Sequence, residues 1–429
     1  MFSAFTSFSN PFSLPRFLGG NQGTAIAIKP VEVHDVEAQN EKRARTLKHL
    51  LKLNHTNHSI VYHQLQFHNH MPHILGSAYI LGASSEHLNE TYEKESKELE
   101  PWRDSPGEIS SFDWRDYLGD RRYQRAYVDF FEDQLVLHGY DWKKVLNEYL
   151  FNGKEPLVNC LIAGLGHPLI HLGYAYEVSS RDVAMEALGL ATTSYSFLHK
   201  YLDEPFYTKP PAYSASSPME ILKNVSVDER FDNLFSHPGA DNIGPLFAAH
   251  EAALLDHWNA WQLPNLWSQF RDAQYAATAL LVATHERRYS RDFDFFIVHL
   301  LTTSHAVRIL LPLIPAKFHT SLVRQWWLVT IAVYVAQLRP HITIRSILDY
   351  EVGDRDWPWA EKQAVECKWA LDAHFVKAVR AMKVAAETWG DTEQYYLKAA
   401  CKFADEFDGW GGFGRVAAGA RRGSATGLT

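Results

Sequence analysis

Apolar residues recur at helical spacing through most of this chain, and that periodicity limits the possible folds more than any single motif does. The pattern runs through 41–53, 122–151, 157–178, 181–202, 264–283, 292–313, 321–338, 358–388 and 392–407, with Gly, Pro and Asp clusters between segments. Strand-like alternation bounded by turn signals is scarce. The longest irregular regions are 84–120 and 203–245, the second broken by Pro205, Pro210, Pro211, Pro218, Pro238 and Pro245. Long loops of this kind commonly act as lids or binding loops. No repeat period and no linker between composition regimes is visible. The expectation is an all-α fold, a single large multi-helix domain over residues 41–410. An N-terminal arm, 1–40, precedes it and can pack on its own subunit or on a neighbour in an oligomer; a mobile Gly/Ala/Arg-rich tail, 411–429, follows.

Composition narrows the function. With 42 Lys plus Arg against 50 Asp plus Glu the net charge is −8, and no long basic block offers a footprint for a phosphate backbone, so nucleic acid is not an expected partner. Three cysteines exclude a disulfide framework, a Cys-rich zinc module and an iron–sulfur site, and suit a reducing, cytoplasmic setting. The first 28 residues hold one basic residue, Arg16, and no apolar secretory core. Trp326 to Leu338, flanked by Arg324 and Arg339, is shorter than the ~18 residues a membrane span needs and reads as a buried helix. The sequons at Asn54, Asn57, Asn89 and Asn224 read as chance matches. Gly409-Trp-Gly-Gly-Phe-Gly414 satisfies GxGxxG but follows a helical pattern and leaves no room for a βαβ unit. Nucleophile elbow, P-loop and kinase signatures are missing.

Histidine is the unusual component, at 22 residues beside five methionines. In Gly166-His167-Pro168-Leu-Ile-His171, the two imidazoles lie one helical turn apart and can share an ion. The plainer reading has His167 near the helix start and only His171 pointing inward. Six histidines, His55, His58, His63, His68, His70 and His73, fall within 19 residues. A surface turn explains some of them but not His73, which starts an uncharged run lasting to Glu86. In 292–313, His299 lies on an apolar stripe, and His305 is about 120° around the helix from it, with a different role expected.

Lys377 is the most anomalous position. Read as one helix, 358–388 places Cys367, Ala370, Leu371, His374, Lys377 and Ala378 on a single stripe, with Lys368, Asp372 and Lys383 opposite. A buried lysine favours the neutral amine, which can act as a base, a Schiff-base nucleophile or, after adding carbon dioxide, an oxygen donor to a metal. Snorkelling to the helix edge is the alternative.

The phrases HNHMPHILGSAYILGA, GLGHPLIHLGYAYE, VHLLTTSHAVRILLP, QLRP and DAHFVKAVRA together resemble the fungal questin oxidase-like family, in an order spanning about residues 45 to 390. The resemblance implies ring opening of anthraquinones or related polycyclic phenolics in polyketide biosynthesis, often described as Baeyer–Villiger-like and written with NADPH. The chain is especially similar to the branch of anthraquinone ring-cleaving dioxygenases. That likeness implies a mononuclear non-haem Fe(II) held by histidines and a lysine carbamate, the matching lysine being Lys377.

Together these readings give an expected metal set of His73, His171, His299, His374 and Lys377, with His70, His167 and His305 as alternative ligands or supports. The expected reaction is Fe(II)-dependent C–C cleavage of an anthraquinone-type substrate by dioxygen. Lys377 would also serve as a base, and NADPH would act only as an external reductant. Trp326, Trp327, Tyr174 and Tyr334 are candidates for stacking on a flat substrate, though core packing suits most of them. Two other readings remain open: an NADPH-dependent Baeyer–Villiger monooxygenase without bound metal, and a helical binding or scaffold protein with structural histidines.

Overall fold

The computed structural model describes residues 28–285 and 292–414. Residues 1–27 of the expected arm and 415–429 of the expected tail lie outside that description. The described residues form seventeen α-helices: α1 (Lys42–Asn57), α2 (Met71–Ile80), α3 (Ser85–Glu95), α4 (Gln124–Leu137), α5 (Trp142–Leu150), α6 (His167–Glu177), α7 (Arg181–Thr193), α8 (Lys200–Asp203), α9 (Pro218–Ser226), α10 (Ile243–Ala260), α11 (Leu266–Val282), α12 (Phe295–Leu310), α13 (His319–Ala336), α14 (Arg345–Leu348), α15 (Trp357–Glu366), α16 (Ala373–Trp389) and α17 (Tyr395–Glu406). Strand is confined to two minimal pairs. β1 (Val61–Tyr62) runs antiparallel to β2 (Phe67–His68), and β3 (Phe293–Asp294) runs parallel to β4 (Trp410–Gly411). The all-α expectation therefore holds, and no helix among the described residues is long and apolar enough to cross a membrane.

Several boundaries differ from the sequence reading for local reasons. The segment 122–151 divides into α4 and α5 at Gly139 and Tyr140, both with positive φ. The region 84–120, expected to be irregular, starts with α3, whose Ser84 cap accepts from the His87 amide. Within 203–245, Pro218 begins α9, since proline is tolerated in a first helical turn. Most consequential is the division of 358–388 into α15 and α16. Asp372, expected on the outer face, instead caps α16: it is buried, and its Oδ1 accepts from the His374 and Phe375 amides while Oδ2 accepts from Trp410 Nε1. A residue before a helix does not follow that helix's periodicity, so the projected stripe could not place it.

Helix α6 lies at the centre, packed against α2, α7 and α12, while α16 closes on α2 and α12 from the other side. Two glycines set these approaches. Gly166, at φ +77°, precedes α6, and a Cβ there would lie 2.3 Å from Thr303 Cγ2 on α12. A Cβ at Gly76 of α2 would meet the Tyr174 ring of α6 at 2.7 Å. Arg380 of α16 and Glu177 of α6 form a fully buried ion pair between the same layers. At the far end, β4 ties the chain after α17 to the start of α12, and Phe413 packs on Phe295 and Phe296.

Removing the Asp372 cap strips two amides and an indole of their acceptor at once. Asp372→Ala should therefore destabilise the protein by about 1–2 kcal/mol, while Asp372→Asn, which keeps a capping oxygen, should cost less. Denaturant unfolding of the two variants measures the difference; equal losses would show that the cap is not what matters.

Candidate metal centre

Four buried histidines from three helices and one helix cap face one another. His70 immediately precedes α2, held there by the β1–β2 hairpin and by Asn69, whose Nδ2 donates to Asn54 Oδ1 and the Ser59 carbonyl. His167 is the first residue of α6, directly after the Gly164-Leu165-Gly166 reversal. His299 lies in the second turn of α12, and His374 opens α16 beside the Asp372 cap. Ring centroids close a circuit: His70–His167 at 4.9 Å, His167–His299 at 5.1 Å, His299–His374 at 4.8 Å and His374–His70 at 4.6 Å.

One nitrogen of each ring lies within 4.8 Å of all the others. Nε2 of His70 and Nε2 of His167 are 2.9 Å apart, and those of His299 and His374 are 3.2 Å apart. Donors about 2.1 Å from one ion stand roughly 3 Å apart when adjacent and about 4.2 Å apart when opposite, so these separations suit a single metal ion. Tautomers agree with that fit. His167 Nδ1–H donates to the Gly164 carbonyl at 2.6 Å and His299 Nδ1–H to the Phe295 carbonyl at 2.8 Å. With the proton on Nδ1, each neutral ring turns a lone pair on Nε2 inward. Desolvation, joined by the nearby Lys377 charge, holds His70, His299 and His374 below the ordinary imidazole range, His299 at about 3. Desolvation also lowers His167, with the neighbouring His68 and His70 next in effect. Four neutral imidazoles at neutral pH are suitable metal donors.

Of the expected set, His299 and His374 belong to this group, whereas His73 and His171 stand one turn away from it. Four residues of helix advance about 6 Å, which carries His171 past the point that His167 faces. His171 Nδ1 lies 3.0 Å from His73 Nε2, and its Nε2–H donates to Glu186 at 2.8 Å, so both of its nitrogens are already bonded. His70 and His167 take the places nearest His299 and His374. His305 is buried elsewhere on α12, with neither nitrogen bonded and with Arg380 and Arg308 acting on it. Lys377 is 1% exposed, and its Nζ has no hydrogen-bond partner. Burial brings its amine down to about 7, against the opposing pull of Asp372 and Glu95. It does not snorkel.

Around the centre the walls are aromatic. Phe295 packs on His299 and His374, Trp410 packs on His374, and His68 stacks on His167 at 4.1 Å. Of the proposed stacking residues, Tyr174 lies flat against His73, while Trp326 and Trp327 pack with Trp261 in the core and Tyr334 donates to the Pro340 carbonyl. A cleft of about 390 Å³ lined by Asp294, Ile297, Gln337 and Gly411 lies at the start of α12. Sequence reasoning missed Glu186. It sits on the buried side of α7, and a lone glutamate in a helical stretch carries no signal of its bridging position.

Known proteins converge on the same region. The chain is 26% identical over 399 residues to the Baeyer-Villiger monooxygenase AacuH of Aspergillus aculeatus, covering 84% of this chain and 81% of that protein. It is 24% identical over 396 residues to the questin oxidase of Aspergillus terreus, covering 86% and 84%. A shorter match, 33% over 130 residues, covers 28% of this chain and 26% of the oxidoreductase AflY of Aspergillus parasiticus. The family described as Questin oxidase-like matches residues 67–382, which contain all four converging histidines and Lys377. The chain belongs to the questin oxidase-like family.

Proposed function

We propose that the protein is an Fe(II)-dependent dioxygenase that opens a ring of an anthraquinone-type polycyclic phenolic. The observation that carries this reading is the circuit of four neutral, inward-facing imidazoles beside a buried amine with no partner. Relatives named questin oxidase and Baeyer-Villiger monooxygenase support the oxidative class and the substrate type. Imidazole nitrogen with an anionic oxygen donor suits Fe(II).

His70, His167, His299 and His374 would hold the ion, which when bound would supply a site for dioxygen and for redox exchange with an electron-rich phenolate. The Gly164 and Phe295 carbonyls fix the His167 and His299 rings, so two of the donors are oriented in advance. Phe295, packed on His299 and His374, and Trp410, packed on His374, exclude water from around them. Lys377 would complete the donor set once its neutral amine adds carbon dioxide: the nitrogen lone pair forms the N–C bond, one proton leaves the nitrogen, and the product is a carbamate anion. The adduct keeps the amine from protonating beside a metal and provides an oxygen donor. The carbamate is also a base within the site for a substrate hydroxyl.

A second reading draws on the relatives' Baeyer–Villiger names: insertion of one oxygen atom with NADPH as co-substrate. Pre-reduced substrate, labelled dioxygen and a single turnover distinguish the two. Two labelled atoms in the ring-opened product without NADPH are expected; one labelled atom and an absolute NADPH requirement would favour the monooxygenase.

Purified protein should hold about one iron per chain and lose cleavage activity on chelation, with recovery on adding Fe(II). Full turnover by rigorously metal-free protein would overturn the proposal. Lys377→Ala and Lys377→Arg should each lower iron retention or turnover by at least the 10–100-fold typical of lost supporting groups. Arginine fails because its guanidinium stays charged and forms no such adduct. Intact-mass and bicarbonate-dependence measurements on the wild type check the adduct itself, and wild-type activity in Lys377→Ala would remove the lysine from the site.

A further inference from the structure

A continuous line of hydrogen bonds leads from the protein surface to the centre, along residues that the proposed metal site does not use. Glu132 on α4 begins it, with a side chain 41% exposed, and its Oε1 is 2.8 Å from His55 Nε2. His55 Nδ1 is 3.0 Å from Glu186 Oε1, Glu186 Oε2 is 2.8 Å from His171 Nε2, and His171 Nδ1 is 3.0 Å from His73 Nε2. Beyond Glu132 every member is buried. The line ends at His73 Nδ1, a buried nitrogen with no partner, on a ring packed edge-on to His70 at 5.4 Å.

We propose that Glu132, His55, Glu186 and His171 form a proton conduit that takes a proton from the reacting centre through His73 and later returns it. The inference rests on the oxidative ring-opening reading, because a phenolic substrate must lose a hydroxyl proton as it is activated and recover one in the product. Protons balance at each link. A substrate hydroxyl gives its proton to His73 Nδ1 while the proton on His73 Nε2 moves to His171 Nδ1, and the proton on His171 Nε2 moves to Glu186 Oε2. His73 and His171 change tautomer without changing charge. Glu186 becomes neutral, and protonated His55 balances this by releasing its Nε2 proton to Glu132 and from there to water. One proton has left the site, and a buried ion pair has become two neutral groups; the reverse sequence restores both.

The electrostatics agree with that resting state. Desolvation alone would lower His55, but hydrogen bonds to Glu132 and Glu186 bring it up to about 10, with Asp182 adding to the effect. Desolvation alone would raise Glu186, yet bonds from His171 and His55 hold its carboxylate low. The chain therefore stores one transferable proton at neutral pH. A purely structural clamp would need neither the exposed glutamate nor the unpartnered inner nitrogen.

The test uses the iron-loaded full chain and its Glu186→Gln, Glu132→Gln and His55→Ala variants. All three should retain wild-type iron content. Single-turnover cleavage should slow by roughly 100-fold in Glu186→Gln, the lower range of general acid–base effects, and the solvent deuterium isotope effect should grow. His55→Ala should recover part of its rate with added imidazole, and Glu132→Gln should become sensitive to the concentration of small buffer acids. Iron-loaded Glu186→Gln with wild-type rate and isotope effect would overturn the conduit. If Glu186→Gln does not fold, a Glu132→Gln rate that matches wild type and ignores buffer would overturn it equally. Nitrogen-15 NMR of metal-free protein gives a readout independent of the metal. His55 should carry protons on both nitrogens at neutral pH, and a singly protonated His55 would refute the conduit even if no iron is ever found.

Discussion

Neutral imidazoles gathered in a dry pocket are the constraint on which the remaining structure depends. Burying one histidine costs little when it is hydrogen-bonded; burying a circuit of four with lone pairs turned towards one another requires that none be protonated and that each ring be fixed. The protein meets the first condition by desolvation and the second by carbonyl acceptors on Nδ1 for His167 and His299. Packing around the circuit follows from the same need. Gly166 lets α6 begin against α12, and Asp372 starts α16 where His374 can reach the centre.

The charged groups near the centre are arranged in two layers that do not mix. On the α16 side, Lys377 is opposed only by Asp372 and Glu95, neither of which bonds its amine, so it is left available to change chemical form. On the α1 and α7 side, Glu186 is bonded by both His55 and His171 and keeps its charge. An unpaired lysine and a fully paired carboxylate at similar depth fit the two tasks proposed for them, one in the donor set and the other in moving protons past it.

Much of this was legible beforehand because helical periodicity is a local property. The all-α class, the importance of the histidines, the inward position of His299 and His374, and the oddness of Lys377 all follow from residue spacing, whereas the nine periodic segments undercount the seventeen helices of the described residues because caps and turns divide them. The structure departs from that projection at helix ends. His73, in the first turn of α2, was favoured because it heads an uncharged run and His171 because it lies on the inward face of α6, while His70 and His167 stand at the starts of α2 and α6, where periodic projection gives little guidance. Asp372 was placed outside for the same reason.

The amino-acid sequence alone determined an all-α protein with histidines on its apolar helix faces and Lys377 on one of them, since amphipathic spacing and side-chain chemistry do not depend on distant contacts. Tertiary structure decided which histidines meet. Their donors lie on elements far apart in the chain, and a single turn of helix, about 6 Å, separates a residue facing the centre from one bonded to Glu186. The crossing of α2, α6, α12 and α16, set by glycine approaches and helix caps, selects between them.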